Sequence, residues 1–413
     1  MSHAHHHPSI PGLKPFHARP GPRDLLRLLD LPGEHASRAR SWTRRDFIKT
    51  GVSSLALATV TPWPTFLGGE GPVVGIARVR NGDVARAVEE VIDLLGGIET
   101  VTAGKHRIML KPNLVAESPI MTTKPVVIRM LASLMKGAGK EVLIGEGSAA
   151  GTGFNVKGGV QYRTKSREIL DPMQQYVFDQ LGYTDLAKSL HVPLVNLHSG
   201  DLVDVDLKGG YVFDHITLHR SLTEVDMLVS VPMMKTHVLA TVTLGMKNVI
   251  GLYPGTVYYS VRSWLHDHAA AARSPGVAYE IVDMVRANRM GLTVIDASQA
   301  MEGNGPSTGD LVDMGLIIAG TDPLATDMVG AATMGIQPAE VPTFAAAWGV
   351  GMTPTRLEDI EVRGAPLEQV RRRFKRPQVI PWSAIANIWG VQELKSPLPP
   401  GSTGQRRQMP YLM

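Results

Sequence analysis

Cysteine is absent from the 413 residues. Its absence excludes disulfides, thiolate zinc sites, cysteine-ligated iron–sulfur clusters and a lipoprotein anchor. Long apolar runs are also missing. The stretch from Gly51 to Val60 is too short for an ordinary transmembrane helix, and no other segment approaches ~18 uninterrupted apolar residues. Charge of one sign is not spread over the chain either. The formal net charge is +4, and the basic excess gathers in the first fifty residues and in the run Arg371, Arg372, Arg373, Lys375, Arg376. Without zinc-finger spacing or an aromatic-studded basic strand, this pattern gives no case for a nucleic-acid partner.

What is present begins with a tail. Residues 1–40 are rich in His, Pro and Arg and read as disordered, with His3, His5, His6 and His7 as part of a mobile segment. Ser41-Trp42-Thr43-Arg44-Arg45-Asp46-Phe47-Ile48-Lys49 follows, then the short apolar stretch and Pro62 and Pro64. A basic region, a paired arginine and a weakly apolar core form the pattern of a twin-arginine export signal. Residues 1–70 are therefore expected to serve the translocation machinery. The mature part is expected in the periplasm or another extracytoplasmic space. It would touch the membrane only through the signal, whose cleavage site stays open.

From Gly71 onward, strand and helix patterns alternate. Strands are expected at Val73–Val79, Arg107–Lys111, Glu141–Gly145, Val192–Leu197, Asp226–Val231, Leu292–Ile295 and Leu316–Ile318. Helices are expected at Val84–Leu95, Pro125–Lys136, Pro172–Leu181, Ala278–Ala287 and Pro323–Met334. Continuous apolar strands alternating with helices predict an α/β fold, with a mainly parallel or mixed sheet covered on both faces. The stretch near 150–220 breaks the rhythm and reads as an inserted subdomain, with a hairpin around Gly209-Gly210. Residues 71–365 form the expected domain, and 366–413 a basic, Pro-rich tail.

Four apolar strands run into charged residues. The first reaches Lys111 and Asn113, the second Glu146 and Ser148, the third Lys235 and His237, and the fourth Asp296. In an open parallel sheet, ligands bind outside the carboxyl ends of the strands, so these charges are expected to converge. Lys247 and Asn248 interrupt the otherwise apolar run Ala240–Tyr253, where a lysine needs a carboxylate, an anionic ligand or an outward path. Glu302 and Asn304 sit in a Gly-rich loop. Asp322 before Pro323 reads as a helix N-cap. Asp327 shares an apolar helix face with Leu324, Ala331 and Met334, and a salt bridge to Lys111, Lys235 or Lys247 is its expected role. His266 and His268 flank Asp267; one of them could act as a ligand or an acid/base. The glycines at 145–153 precede no helix pattern, so a dinucleotide fingerprint is not supported.

These pieces together resemble the domain of unknown function 362 family. The resemblance is carried by Lys111-Pro112-Asn113, Thr122-Thr123-Lys124-Pro125, Gly145-Glu146-Gly147-Ser148, Met234-Lys235-Thr236-His237 and Gly245-Met246-Lys247-Asn248. Asp296-Ala297, Glu302-Gly303-Asn304-Gly305-Pro306 and Asp322-Pro323 with Asp327 complete it. It spans about residues 73–340 and implies no established activity. Relatives with a Cys-rich ferredoxin-type segment have an iron–sulfur role that a cysteine-free chain cannot share.

Two functional expectations stand. One is an exported enzyme acting on an anionic small molecule. Lys111, Asn113, Glu146, Ser148, Lys247, Asn248 and Asn304 would hold the ligand, and Lys235, His237, Asp296 and Glu302 would carry the chemistry. The other is a non-enzymatic ligand- or metal-binding protein. The cofactor is left open. A hard divalent cation on Asp296, Asp322, Asp327 and His266 is the candidate.

Overall fold

Aliphatic strands and amphipathic helices alternate because each must bury an apolar face against the other. The computed structural model describes residues 71–157, 160–262 and 277–378, together with Leu265 and the backbone of Lys14–Phe16. The twin-arginine segment and His266 lie outside the described residues.

The main sheet has eleven strands. In chain order they are β1 (Val73–Arg78), β2 (Arg107–Pro112), β3 (Glu141–Glu146), β4 (Leu194–Asn196) and β5 (Met227–Val231). Next come β6 (Met233–His237), β7 (Thr241–Thr243), β8 (Met290–Glu302), β9 (Asp310–Val312), β10 (Leu316–Gly320) and β11 (Glu361–Gly364). The lateral order is β11-β1-β10-β8-β5-β2-β3-β4, with β6 beside β8 and β7, and β9 beside β8. Strands β8, β5, β2, β3 and β4 are mutually parallel, as are β11 and β1. Strand β10 runs antiparallel to both of its neighbours. The sheet is thus mixed and mostly parallel, as the alternation predicts.

The strands show why helices cover both faces. Ile108 and Leu110 of β2 enter one apolar cluster, and Met109 between them enters the other. In β3, Val142 and Ile144 face one way and Leu143 the other. This period of two, apolar on both sides, is what a doubly covered sheet needs. On one face lie α1 (Val84–Leu94), α2 (Pro125–Gly137), α3 (Arg167–Gln180) and α4 (Tyr183–Leu190). On the other lie α5 (Gly245–Asn248), α6 (Ala278–Ala287), α7 (Pro323–Thr333) and α8 (Pro342–Gly349). Helix α1 starts where the Asp83 side chain accepts the Arg86 N–H at 2.9 Å. Helix α2 starts with Pro125 in its first turn and buries Val127, Ile128, Leu131, Ala132 and Met135. Among the described residues no helix is long and apolar enough to cross a membrane.

Several segments differ from the expectation. The stretch 150–220 divides: β4 joins the main sheet, and the hairpin Leu202–Asp206 with His215–His219 forms a separate pair. Strand β6 was not foreseen, because Pro232 reads as a break. Strand β8 does not stop at Asp296 but continues to Glu302. The backbone of Lys14–Phe16, expected to be disordered, pairs with Val160–Arg163, whose free edge offers unsatisfied hydrogen-bonding groups. Residues 366–374 pack on the domain. Phe374 is buried, and its N–H bonds the Met334 carbonyl at 3.1 Å.

Candidate functional site

Parallel strands place their carboxyl ends on one edge, and the charged residues gather there. Lys111 stands beside Ser230 in register, and Asp296 beside Met233. Lys111 is 1% exposed. Its ammonium donates to Glu146 Oε1 and Oε2 at 2.9 and 3.0 Å, to the Pro112 carbonyl at 2.9 Å and to Asn248 Oδ1 at 3.1 Å. Glu146 also accepts the N–H of Leu114 at 2.9 Å and of Gly147 at 2.8 Å. A buried charge pair survives only when its remaining lone pairs and protons are met in this way.

The network continues through amides. Asn248 Oδ1 accepts from Asn113 Nδ2 at 3.1 Å, and Asn113 Oδ1 accepts from Lys235 Nζ at 2.6 Å. Lys235 also donates to the Met121 carbonyl at 2.7 Å. Asn248 Nδ2 donates to the Lys111 carbonyl at 3.1 Å and to Ser230 Oγ at 3.0 Å. One polar chain therefore links Lys111, Glu146, Asn248, Asn113 and Lys235 across strands β2, β3 and β6 and helix α5.

Two further cations complete the group. Arg262 is 2% exposed. Its guanidinium donates to the carbonyls of Ser148 at 3.0 Å, Gly251 at 2.9 Å and Gly147. Lys247, on α5, is half-buried. Among the described residues, Glu146 is the one carboxylate that bonds a member of this cationic set. The electrostatics follow. Burial, then the charges of Lys247 and Lys111, push Lys235 down to about 7 against the pull of Glu146. Burial, then Arg262 and Lys111, push Lys247 down to about 7. Burial lowers Lys111 despite its ion pair, and lowers Arg262 to about 10.

Two glycines permit the approach. A Cβ on Gly251 would meet Glu146 Oε1, and Lys111 Nζ at 2.7 Å. A Cβ on Gly147 would stand 2.5 Å from Arg262 Nη2. The turn presenting Arg262 is strained: Tyr259, Val261 and Arg262 have φ of 64°, 60° and 52°. Left-handed backbone at a β-branched residue persists only where surroundings enforce it, and such strain collects at functional sites.

The remaining expected residues have other partners. Asp296 lies inside β8 and accepts the Lys124 N–H at 3.0 Å and the Ser298 hydroxyl at 2.5 Å. It stays near the cluster, since Lys124 follows Thr123, whose hydroxyl accepts the Asn113 N–H at 2.9 Å. His237 shares a strand face with Lys235, and its Nδ1 accepts the N–H groups of Leu239 and Ala240 at 3.0 and 3.2 Å. Ser148 is buried against Gln174, which accepts its N–H at 2.6 Å. Glu302 and Asn304 hold the segment after the domain: Glu302 Oε2 accepts the Lys375 N–H at 3.0 Å, and Asn304 Oδ1 the Gln378 N–H at 2.9 Å.

The two helix aspartates serve the backbone. Asp322 caps α7, accepting the Ala325 N–H at 2.7 Å. Asp327 meets none of the three expected lysines. Its oxygens accept the N–H groups of Gly245 and Met246, each at 2.7 Å, at the start of α5. Of the expected metal set, Asp296, Asp322 and Asp327 each accept N–H or hydroxyl donors, and His266 lies outside the described residues. Among the described residues no group of three or more His, Asp or Glu is placed to hold a metal ion. Sequence reasoning missed Arg262 and Gln174. A lone arginine beside Tyr258, Tyr259 and Val261 was the one available signal.

Known proteins can be set beside this geometry. The chain is 27% identical over 303 residues to the thylakoid-associated protein sll1697 of Synechocystis sp., covering 72% of this chain and 85% of that one. The lactate racemase apoprotein of Thermoanaerobacterium thermosaccharolyticum aligns with a TM-score of 0.38 and 14% identity, over 65% of this chain and 58% of that one. The chain thus spans less than two thirds of that structure's length. A family model described as Domain of unknown function (DUF362) matches residues 108–332, a span that contains all four clustered cations. Matched over more than half its length, the chain belongs to the DUF362 family.

Proposed function

We propose that the group formed by Lys111, Lys235, Lys247 and Arg262 is the active centre of an enzyme acting on a small anionic molecule outside the cytoplasm. One observation carries the reading. Four cations crowd one edge of the sheet, and Glu146 is the one carboxylate bonded to them among the described residues. A surplus of positive charge in a partly desolvated site attracts phosphate or carboxylate groups. Lys235 and Lys247, both pushed down to about 7, are partly unprotonated at neutral pH and supply a proton acceptor there. His237 and Asp296, at the same edge, are the further candidates for proton handling. Arg44 and Arg45 support export, and the thylakoid association named for one relative is in keeping with work at a membrane boundary.

Titration calorimetry with inorganic phosphate and with oxalate tests the site. Both anions are expected to bind. Lys247→Ala is expected to weaken them about tenfold, with little change in melting temperature, because Lys247 is half-buried and bonds no carboxylate. Equal affinity in wild type and variant, or no binding of either anion, removes the reading.

A further inference from the structure

The three clustered lysines are not equivalent. Lys111 is saturated by Glu146, Pro112 and Asn248. Lys235 is wholly buried and spends two of its three N–H donors on Asn113 and Met121. Lys247 is half-buried, and among the described residues no hydrogen bond or ion pair engages its amine. Nothing in the fold of this segment needs that charge. Helix α5 is set by Asp327 on the N–H groups of Gly245 and Met246. The next residue, Asn248, knits the helix to β2 and β5 through Lys111 and Ser230. A half-buried lysine is thus carried on a pinned turn among like charges. Neighbouring cations keep such an amine nucleophilic.

We propose that Lys247 is a covalent attachment point, its ε-amine condensing with the carbonyl carbon of a small 2-oxo acid to form an imine. The reading rests on the anionic site above and names its ligand class. The amine lone pair forms the new C–N bond. The carbonyl oxygen departs as water with both amine hydrogens, so no oxidant or reductant is consumed. A carboxylate next to the carbonyl would lie in the field of Lys235, Lys111 and Arg262. Lys111 and Lys235 cannot take the same role, because their amines are enclosed and bonded.

Reductive trapping provides the test. The full chain is incubated at neutral pH with pyruvate and sodium cyanoborohydride, digested, and mapped by mass spectrometry. One reduced adduct is expected on the peptide bearing Lys247. Lys247→Arg, folded by circular dichroism, is expected to lower total labelling about tenfold, because arginine keeps the charge but not the nucleophile. Acetone, a ketone without a carboxylate, is expected to label about tenfold more slowly. Adducts spread over surface lysines, or labelling unchanged by Lys247→Arg, overturn the proposal. Phosphate binding without any adduct overturns the imine and leaves the anion site standing. Failure of phosphate to bind wild type removes the reading beneath it.

Discussion

Lys235 and Lys247 release protons near pH 7 when folded, against an ordinary value of 10.5. Between those values the unfolded chain holds protons that the folded chain has lost, so raising the pH favours folding. Three buried acids act in the opposite direction. Burial raises Asp283 and Asp327 to about 7 and Asp322 to about 6, from 3.8, although backbone N–H bonds resist it in each. Between 3.8 and those values the folded chain keeps protons that the unfolded chain has lost, so raising the pH favours unfolding. The five groups together place a stability minimum near neutrality. Urea midpoints followed by circular dichroism are expected to fall from about pH 5 to about pH 7 and to recover by about pH 9. A midpoint highest at neutrality contradicts the assignment. At this scale Lys111, Asn113, Glu146, Lys235, Lys247 and Asn248 were legible, because a charge that breaks an apolar run shows without any fold. Arg262 was not, since irregular backbone leaves no period for a charge to interrupt. Nor was the partner of Glu302 and Asn304, which arrives from about seventy residues along the chain.

Helix α5 is too short to be held by its own hydrogen bonds, and Asp327 of α7 supplies what it lacks. Asp327→Ala would leave two buried N–H groups without acceptors, a cost of about 2–5 kcal/mol. Asp322→Ala removes an ordinary N-cap from α7 and should cost about 1 kcal/mol. Urea denaturation checks the order of the two, and phosphate affinity should fall for Asp327→Ala alone. Equal costs, or equal affinities, would mean that the carboxylate does not position Lys247 and Asn248. Elements with clear periods, such as α2, α6 and β1, match the sequence reading within two residues. Strand β6 and the far half of β8 escaped it, because their polar residues are satisfied by distant groups. Asp296, for example, is bonded by the Lys124 N–H, which no local pattern reveals.

In the whole molecule, the alternation of strands and helices was enough to predict the mixed sheet, and the antiparallel course of β10 was not. Its direction depends on β1 and β8, which are separated by more than two hundred residues. Export also belongs to this scale. A reporter fused behind residues 1–70 is expected to cross the membrane by the twin-arginine route, and Arg44→Lys with Arg45→Lys is expected to hold it back. Passage of the doubly substituted fusion at the wild-type rate would remove that expectation.

Strand β1 is flanked by β10 and β11, so the first strand of the domain lies between two of the last. A growing chain must therefore carry Val74 and Ile76 uncovered through most of its synthesis, since their neighbours leave the ribosome some 240 residues later. The sheet therefore closes only after Leu316–Gly320 and Glu361–Gly364 have been made, so its first strand waits longest for its partners.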